Sequence, residues 1–222
     1  MAKGRHHGEV LVVGLGRFGG SLAEALVELG HEVLGVDADP KLVQSFAERL
    51  THVVEADATD IDALRQIGAA DFQRAVVGIG TDIEASILAT SHLSDLGVGR
   101  IWAKAITVAH GRILRRVGAH EVVFPEHDMG RRVAHLVTGR MLEFVQLDEG
   151  FALVETFPPK DLVGRSLTDA QVRKRYGVTI VCIKPDGGRF TYATADTIPG
   201  PKDVLVVAGE PHAVEAFAEA ID

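Results

Sequence analysis

Cysteine is almost absent: Cys182 is the single one in 222 residues. One thiol excludes an intrachain disulfide framework and suits a reducing compartment, and its place in an apolar run predicts a small buried hydrophobe. Long apolar runs are missing too. None approaches the ~20 residues of a membrane-spanning helix, and the N-terminus has no apolar core of a signal peptide. The expectation is a cytoplasmic chain with no direct membrane insertion, which works at a membrane only through a partner. Basic charge is in deficit, with 23 Lys and Arg against 31 Asp and Glu, a net −8. That balance argues against nucleic acid as a partner, because phosphate backbones are held by a basic face. The pairs Arg115-Arg116 and Arg131-Arg132 read as solvated helix faces. No Cys-x-x-Cys or His-Glu-x-x-His spacing occurs, and no Ser/His/Asp or Cys/His arrangement can be assembled. His212 precedes the last helix at the surface. His6 and His7 belong to a short basic tail, Met1–Gly8, and read as solvated. There is no internal repeat and no low-complexity segment.

What is present is 46% hydrophobic and 24% charged residues. That describes a globular chain able to bury a core in one large domain or two small ones. Its organising stretch is Val10–Gly19. Val10 to Val13 form a β-branched, apolar run suited to a buried parallel strand. Gly14, Gly16 and Gly19 then spell G-x-G-x-x-G. Phe18, Leu22, Leu26 and Leu29 follow at helical spacing, and Gly30 marks the helix end. The next strand, His31–Val36, ends in Asp37, 21 residues after Gly16. Gly14 permits the tight turn, Gly16 lets backbone approach a phosphate, and Gly19 lets helix and strand pack closely. The helix N-terminus offers unpaired N–H groups to an anion. Asp37 suits the ribose hydroxyls of an adenine nucleotide and repels a 2′-phosphate. The alternative is an ordinary strand–helix turn packed through small residues.

The strand–helix alternation continues to residue 124. A helix starts at Pro40 with Asp39 as its cap. The strand His52–Ala56 leads to Asp57 and Ala58, where a ligand contact and a capping turn are equally good readings of Asp57. Thr59 or Asp60 caps the next helix. Ala75–Ile79 ends at Gly80, before a helix Ile83–Leu96. Ile101–Ala105 carries Trp102, read as core, and Lys104, placed to face a phosphate or carboxylate. Then come a helix Val108–Val117 and a strand Glu121–Phe124. Six alternations predict a doubly wound parallel Rossmann-like α/β sheet, with Gly14–Gly19, Asp37, Asp57, Ala58, Gly80 and Lys104 along one edge. Pro125 interrupts the chain, and Glu126–Gly130 leads into a helix through Val133 and Val137. From about Arg140 the texture becomes α+β. Strands are expected at Leu142–Leu147, Phe151–Phe157, Val178–Lys184, Arg189–Tyr192 and Asp203–Ala208. A helix runs from Ser166 or Thr168 through Val172, and a last one over Pro211–Ile221.

Residues 12–19 (VVGLGRFG), 56–59 (ADAT), 101–105 (IWAKA) and 125–130 (PEHDMG) resemble the cytosolic regulatory subunits of Trk/Ktr-type potassium uptake systems. The resemblance runs on through KRYGVTI (174–180) to the last helix. It implies an RCK (KTN) nucleotide-binding domain over 1–140, including a crossover helix, and a C-terminal RCK domain over 141–222. It also implies dimers built into an octameric ring, docked on a membrane-embedded potassium channel or transporter at the inner face of the membrane. ATP and ADP would favour different ring shapes and so regulate potassium flux; some relatives bind NAD(H). Arg17 and Phe18 would lie at the nucleotide, with Arg17 and Lys104 toward its phosphates. Glu126 would hold a divalent cation, Mg or Ca, beside the γ-phosphate. Cyclic di-AMP would sit on Val172, Arg173, Thr179 and Ile180, although Thr179 and Ala193 depart from the usual asparagine and proline. The leading expectation is a gating subunit and not an enzyme. An NAD-dependent dehydrogenase or NAD(H) redox sensor is the alternative, and a plain assembly module the third.

Overall fold

The computed structural model describes residues 8–137 and 140–220. His6, His7 and Ile221 lie outside them. The chain divides into two compact units that part between Glu126 and His127.

The first unit alternates strand and helix throughout. Its strands are β1 (Glu9–Val13), β2 (Glu32–Asp37), β3 (His52–Glu55), β4 (Arg74–Val77), β5 (Arg100–Lys104) and β6 (Glu121–Val123). Between them run α1 (Arg17–Glu28), α2 (Pro40–Phe46), α3 (Ile61–Gln66), α4 (Ile83–Asp95) and α5 (Val108–Arg116). A short 3₁₀ turn, Ala69–Asp71, precedes β4 and carries no signal in the sequence. The strand order is β3-β2-β1-β4-β5-β6, and every pair is parallel. The order reverses between β1 and β4, which is where doubly wound sheets open a crevice at their carboxyl edge.

Residues of β1 explain the unbroken apolar run. Val10 and Val12 pack with Leu15, Ala23, Val33 and Phe46 on one face. Leu11 and Val13 pack with Ala75, Val77, Leu93 and Ile101 on the other. A strand covered on both faces has no polar side to alternate with. Local chemistry starts the helices, as expected at Asp39 and, of the two candidates Thr59 and Asp60, at Asp60. Asp39 accepts from the Lys41 N–H at 2.8 Å, Asp60 from Asp62 N–H at 2.8 Å, and Asp82 from Ala85 N–H at 2.9 Å. Leu29 departs from its expected place on the apolar stripe: α1 ends at Glu28, and Leu29, its C-cap, is 75% exposed.

The second unit holds most of α6 (Pro125–Val137) and an antiparallel sheet. The sheet contains β7 (Met141–Asp148), β8 (Phe151–Thr156), β9 (Thr179–Lys184), β10 (Thr191–Tyr192) and β11 (Val204–Gly209), in the order β10-β9-β11-β8-β7. Helices α7 (Leu167–Ala170), α8 (Val172–Tyr176) and α9 (Pro211–Glu219) complete it. Its core gathers Phe144, Val154, Leu162, Leu205, Val207 and Phe217. Cys182 is half-buried on β9, a correction to the buried position expected of it. Arg131 donates to Gln146 at 2.7 Å and Arg132 pairs with Glu143, so this Arg-Arg face is exposed yet engaged.

Two further corrections concern helices. Helix α6 begins at Pro125 itself, because a proline needs no N–H in the first turn and its fixed φ suits it; Glu126 therefore lies inside the helix. The single helix expected from Ser166 is two, broken at Gln171, whose φ of 50° and ψ of 43° are left-handed. Ser166 still caps the first, accepting from the Asp169 N–H at 3.1 Å. A left-handed residue with a Cβ costs about 1–2 kcal/mol. Gln171→Gly is therefore expected to stabilise this unit by about 1 kcal/mol, less glycine's greater unfolded-state entropy. Denaturant unfolding of the two proteins measures it.

Candidate functional site: a cleft at the reversal of strand order

The carboxyl edge of the first sheet holds a cleft of about 470 Å³. Its floor is the glycine turn. Gly14 has a φ of 89°, which only glycine adopts without strain, and its N–H donates to the Val36 carbonyl at 2.7 Å. The Gly78 N–H donates to the Val13 carbonyl at 2.7 Å, so the ends of β1, β2 and β4 are tied together. Gly16 is the N-cap of α1, and a Cβ there would meet nothing within 4 Å, because that face opens on the cleft. Gly19 does not line the cleft. It packs beneath, where an added Cβ would lie 1.8 Å from the Gly14 carbonyl oxygen. Helix α1 can approach β1 this closely only without a side chain at Gly19.

Charge divides the cleft. Asp37, Asp39 and Asp57 line the end under β2 and β3, while Arg17 and Lys104 line the other. Asp37 is already at work without a ligand. Its Oδ2 accepts from the Leu15 N–H at 2.6 Å, and its Oδ1 from the Asp39 N–H at 2.9 Å. Each oxygen keeps a second lone pair, so holding the turn and accepting from a ribose hydroxyl are compatible. Asp57 does both things weighed for it. It lines the cleft, and its Oδ1 accepts from Thr59 Oγ1 at 2.7 Å and Thr59 N–H at 2.9 Å. Those two bonds, the hydroxyl's first, hold its carboxyl below the usual range. Ala58 lines the cleft from the core beside it.

At the other end Lys104, the last residue of β5, is 8% exposed. Its Nζ donates to Glu126 Oε1 at 2.6 Å and stands 5.7 Å from the centroid of the Phe18 ring. The bond from Lys104 is the main reason that the Glu126 carboxyl is held below its ordinary range. Gly80 makes room for this lysine, since a Cβ on it would fall 2.8 Å from Nζ. The structure thus brings Gly14, Gly16, Arg17, Phe18, Asp37, Asp57, Ala58, Gly80, Lys104 and Glu126 around one cavity. Sequence reasoning did not place Asp39, Leu42, Thr81 and Ile106 there. Asp39 and Leu42 had a signal, being two residues and about one helical turn beyond Asp37; Ile106 had none.

In the second unit Val172, Arg173, Thr179 and Ile180 line one open groove of about 500 Å³, together with Gln171 and Ala193. Val172 and Ile180 also belong to the core, and Arg173 Nε donates to Thr179 Oγ1 at 2.9 Å.

Comparison with known proteins decides the family. Residues 10–125 match the TrkA-N domain and residues 153–222 the TrkA-C domain. The chain is 37% identical over 214 residues to Ktr system potassium uptake protein C of Bacillus subtilis, covering 96% of this chain and 97% of that one. This chain belongs to the TrkA-domain family of Ktr and Trk potassium uptake proteins. The expected resemblance therefore holds along both units. Among solved structures, the GsuK channel bound to NAD superposes with a TM-score of 0.66 at 19% identity, over 97% of this chain and 39% of that one. GsuK bound to ADP gives 0.51 at 21% identity, over 58% of this chain and 34% of that one. Both likenesses are likenesses of fold. No helix among the described residues is long and apolar enough to cross a membrane.

Proposed function

We propose that this chain is a nucleotide-sensing regulatory subunit of a potassium channel or transporter. One observation carries the reading: the cleft at the strand-order reversal is acidic at its β2–β3 end and gathers Arg17 and Lys104, the lysine paired with Glu126, at its other end, in a chain whose relative over nearly its full length is a potassium uptake protein. The ligand is ATP or ADP. Its ribose lies at Asp37 and its base beyond, near Asp57 and Ala58. Its phosphates lie over Gly14–Gly16, with the planar guanidinium of Arg17 and the amine of Lys104 as counter-charges. A divalent cation, Mg or Ca, is held by Glu126 and phosphate oxygens. Among the described residues no three potential metal-ligating side chains cluster, so the nucleotide supplies the remaining oxygens. Regulation requires ATP and ADP to favour different conformations with different affinities; equal affinity would shift nothing.

The chain carries no enzymatic step in this reading. It works at the cytoplasmic face of the membrane, bound to a membrane-embedded partner, as dimers within an octameric ring. Residues 1–140, with the crossover helix, form the nucleotide-binding domain, and 141–222 the C-terminal domain. Cyclic di-AMP is the ligand of the second groove, with Arg173 on its phosphates; what supports this is the grouping of Val172, Arg173, Thr179 and Ile180 around one cavity. NAD(H), as in a dehydrogenase or redox sensor, is the competing ligand of the first cleft, because Asp37 suits either ribose and a related fold is known bound to NAD.

Calorimetry of the purified chain tests the reading. ADP and ATP should bind well below millimolar concentration, and magnesium should tighten ATP more than ADP. Absence of binding by both at millimolar concentration overturns it.

A further inference from the structure

His110 lies on α5, outside the cleft lining, and is 2% exposed. Its backbone N–H donates to Thr107 Oγ1 at 3.1 Å, and its ring Nδ1 accepts from the Ile106 N–H at 3.5 Å. The segment that joins β5 to α5 is thus pinned residue by residue. The Ala105 N–H donates to the Val123 carbonyl at 2.9 Å, Ile106 donates to the imidazole, and Thr107 caps the helix. Ile106 lines the cleft. That part of the wall is therefore held by the one kind of side chain that ordinarily titrates near neutrality. Because Nδ1 accepts, the neutral ring carries its proton on Nε2. Nε2 is buried and has no hydrogen-bond partner among the described residues.

We infer that His110 is a positioning residue: its neutral imidazole holds the Ile106 wall of the cleft, and uptake of a proton releases that wall, so that nucleotide binding weakens in acid. This goes beyond the nucleotide reading and rests on it. A proton from solvent enters at Nδ1, the ring's accepting atom. It then points at the Ile106 N–H, so two donors face each other. The new charge meets no counter-charge. Of the elements packed against α5, α4 carries Glu84 and Asp95, both exposed, and the half-buried His92. Glu121 of β6 pairs with Arg100, and Lys104 at the end of β5 is joined to Glu126. On α5 itself the charged side chains are Arg112, Arg115 and Arg116, all exposed and of the wrong sign. Burial alone pushes the ring below its ordinary value of 6.5. Well above 6.5 the ring is neutral whether the wall is held or released, and nothing changes. As the pH falls through that value, conformers with Ile106 released take up the proton first and gain population. A nucleotide that favours the held wall must lower the ring's proton affinity by the same factor by which acid lowers the nucleotide's.

The test is calorimetric titration of the full chain with ADP, in EDTA, at pH 7.5 and at pH 5.5, with the wild type beside His110→Asn. The asparagine oxygen stands in for Nδ1 as an acceptor of the Ile106 N–H and does not titrate. Protonation of ADP itself is common to both proteins and cancels between them. Between the two pH values the wild type should lose about fivefold more affinity than the variant. A second measurement needs no variant and decides the matter if His110→Asn does not fold. Nitrogen-15 NMR of the histidine-labelled wild type should show a His110 titration midpoint below 6.5 that moves lower when ADP is added, which a purely structural histidine would not do. Equal acid losses in the two proteins, or a midpoint that ADP leaves in place, overturns the inference while leaving a nucleotide site intact. A wild type that does not bind ADP at pH 7.5 defeats the nucleotide reading itself, and this inference with it.

Discussion

Gly19→Ala is expected to destabilise the first unit by about 3 kcal/mol or more and to abolish nucleotide binding. The cause is a single distance. The new methyl would stand 1.8 Å from the Gly14 carbonyl oxygen, and Gly14 cannot yield. Its own φ of 89° and its N–H bond to Val36 fix it, while Gly78 packs against both glycines. Relief must come from lifting the N-terminus of α1 off β1, which moves Gly16 and Arg17 out of line with the cleft. Urea unfolding with ADP titration measures both effects. Gly16→Ala is the control: its Cβ faces open space, so it should fold normally and lose affinity alone. A stable, binding Gly19→Ala protein would mean that the turn packs otherwise than described.

Asp37→Asn should cost about 2 kcal/mol of stability and at least tenfold in ADP affinity. Two backbone N–H groups, of Leu15 and Asp39, point at the two carboxylate oxygens. An amide replaces one acceptor with a donor, so one of those N–H groups faces another N–H. Asp37→Ala leaves both without their partner and should be worse in stability. The asparagine variant therefore separates the residue's roles: any excess of binding loss over the fraction unfolded belongs to the sugar. Thermal melting alongside calorimetry measures this, and unchanged melting together with unchanged affinity would remove Asp37 from both roles.

The two substitutions show how legibility ended at different depths. That Gly19 must be small and Asp37 acidic was readable from spacing, because both follow a strand–turn–helix pattern that is local in the chain. What each residue touches was not. Gly19 meets the carbonyl of Gly14 through the crossing of helix and strand, and Asp37 reaches Leu15 across two adjacent strands, 22 positions away. Gln171 marks a different limit. Nothing in its residue type announces a left-handed turn, and the helix expected to pass through it was drawn from capping and periodicity, which do not register a break imposed by packing.

By itself the amino-acid order determined the alternation of strand and helix, the glycine turn, the cap at Asp39, and the change of texture near residue 140. These depend on neighbours within a turn or two of chain, where composition and period carry the information. Only the tertiary structure decided that Lys104 ends on Glu126, that it crosses Gly80 to do so, and that Ile106 joins the cleft. Those relations depend on which strands become neighbours, and the reversal of order between β1 and β4 is a property of the assembled sheet that no stretch of the chain contains.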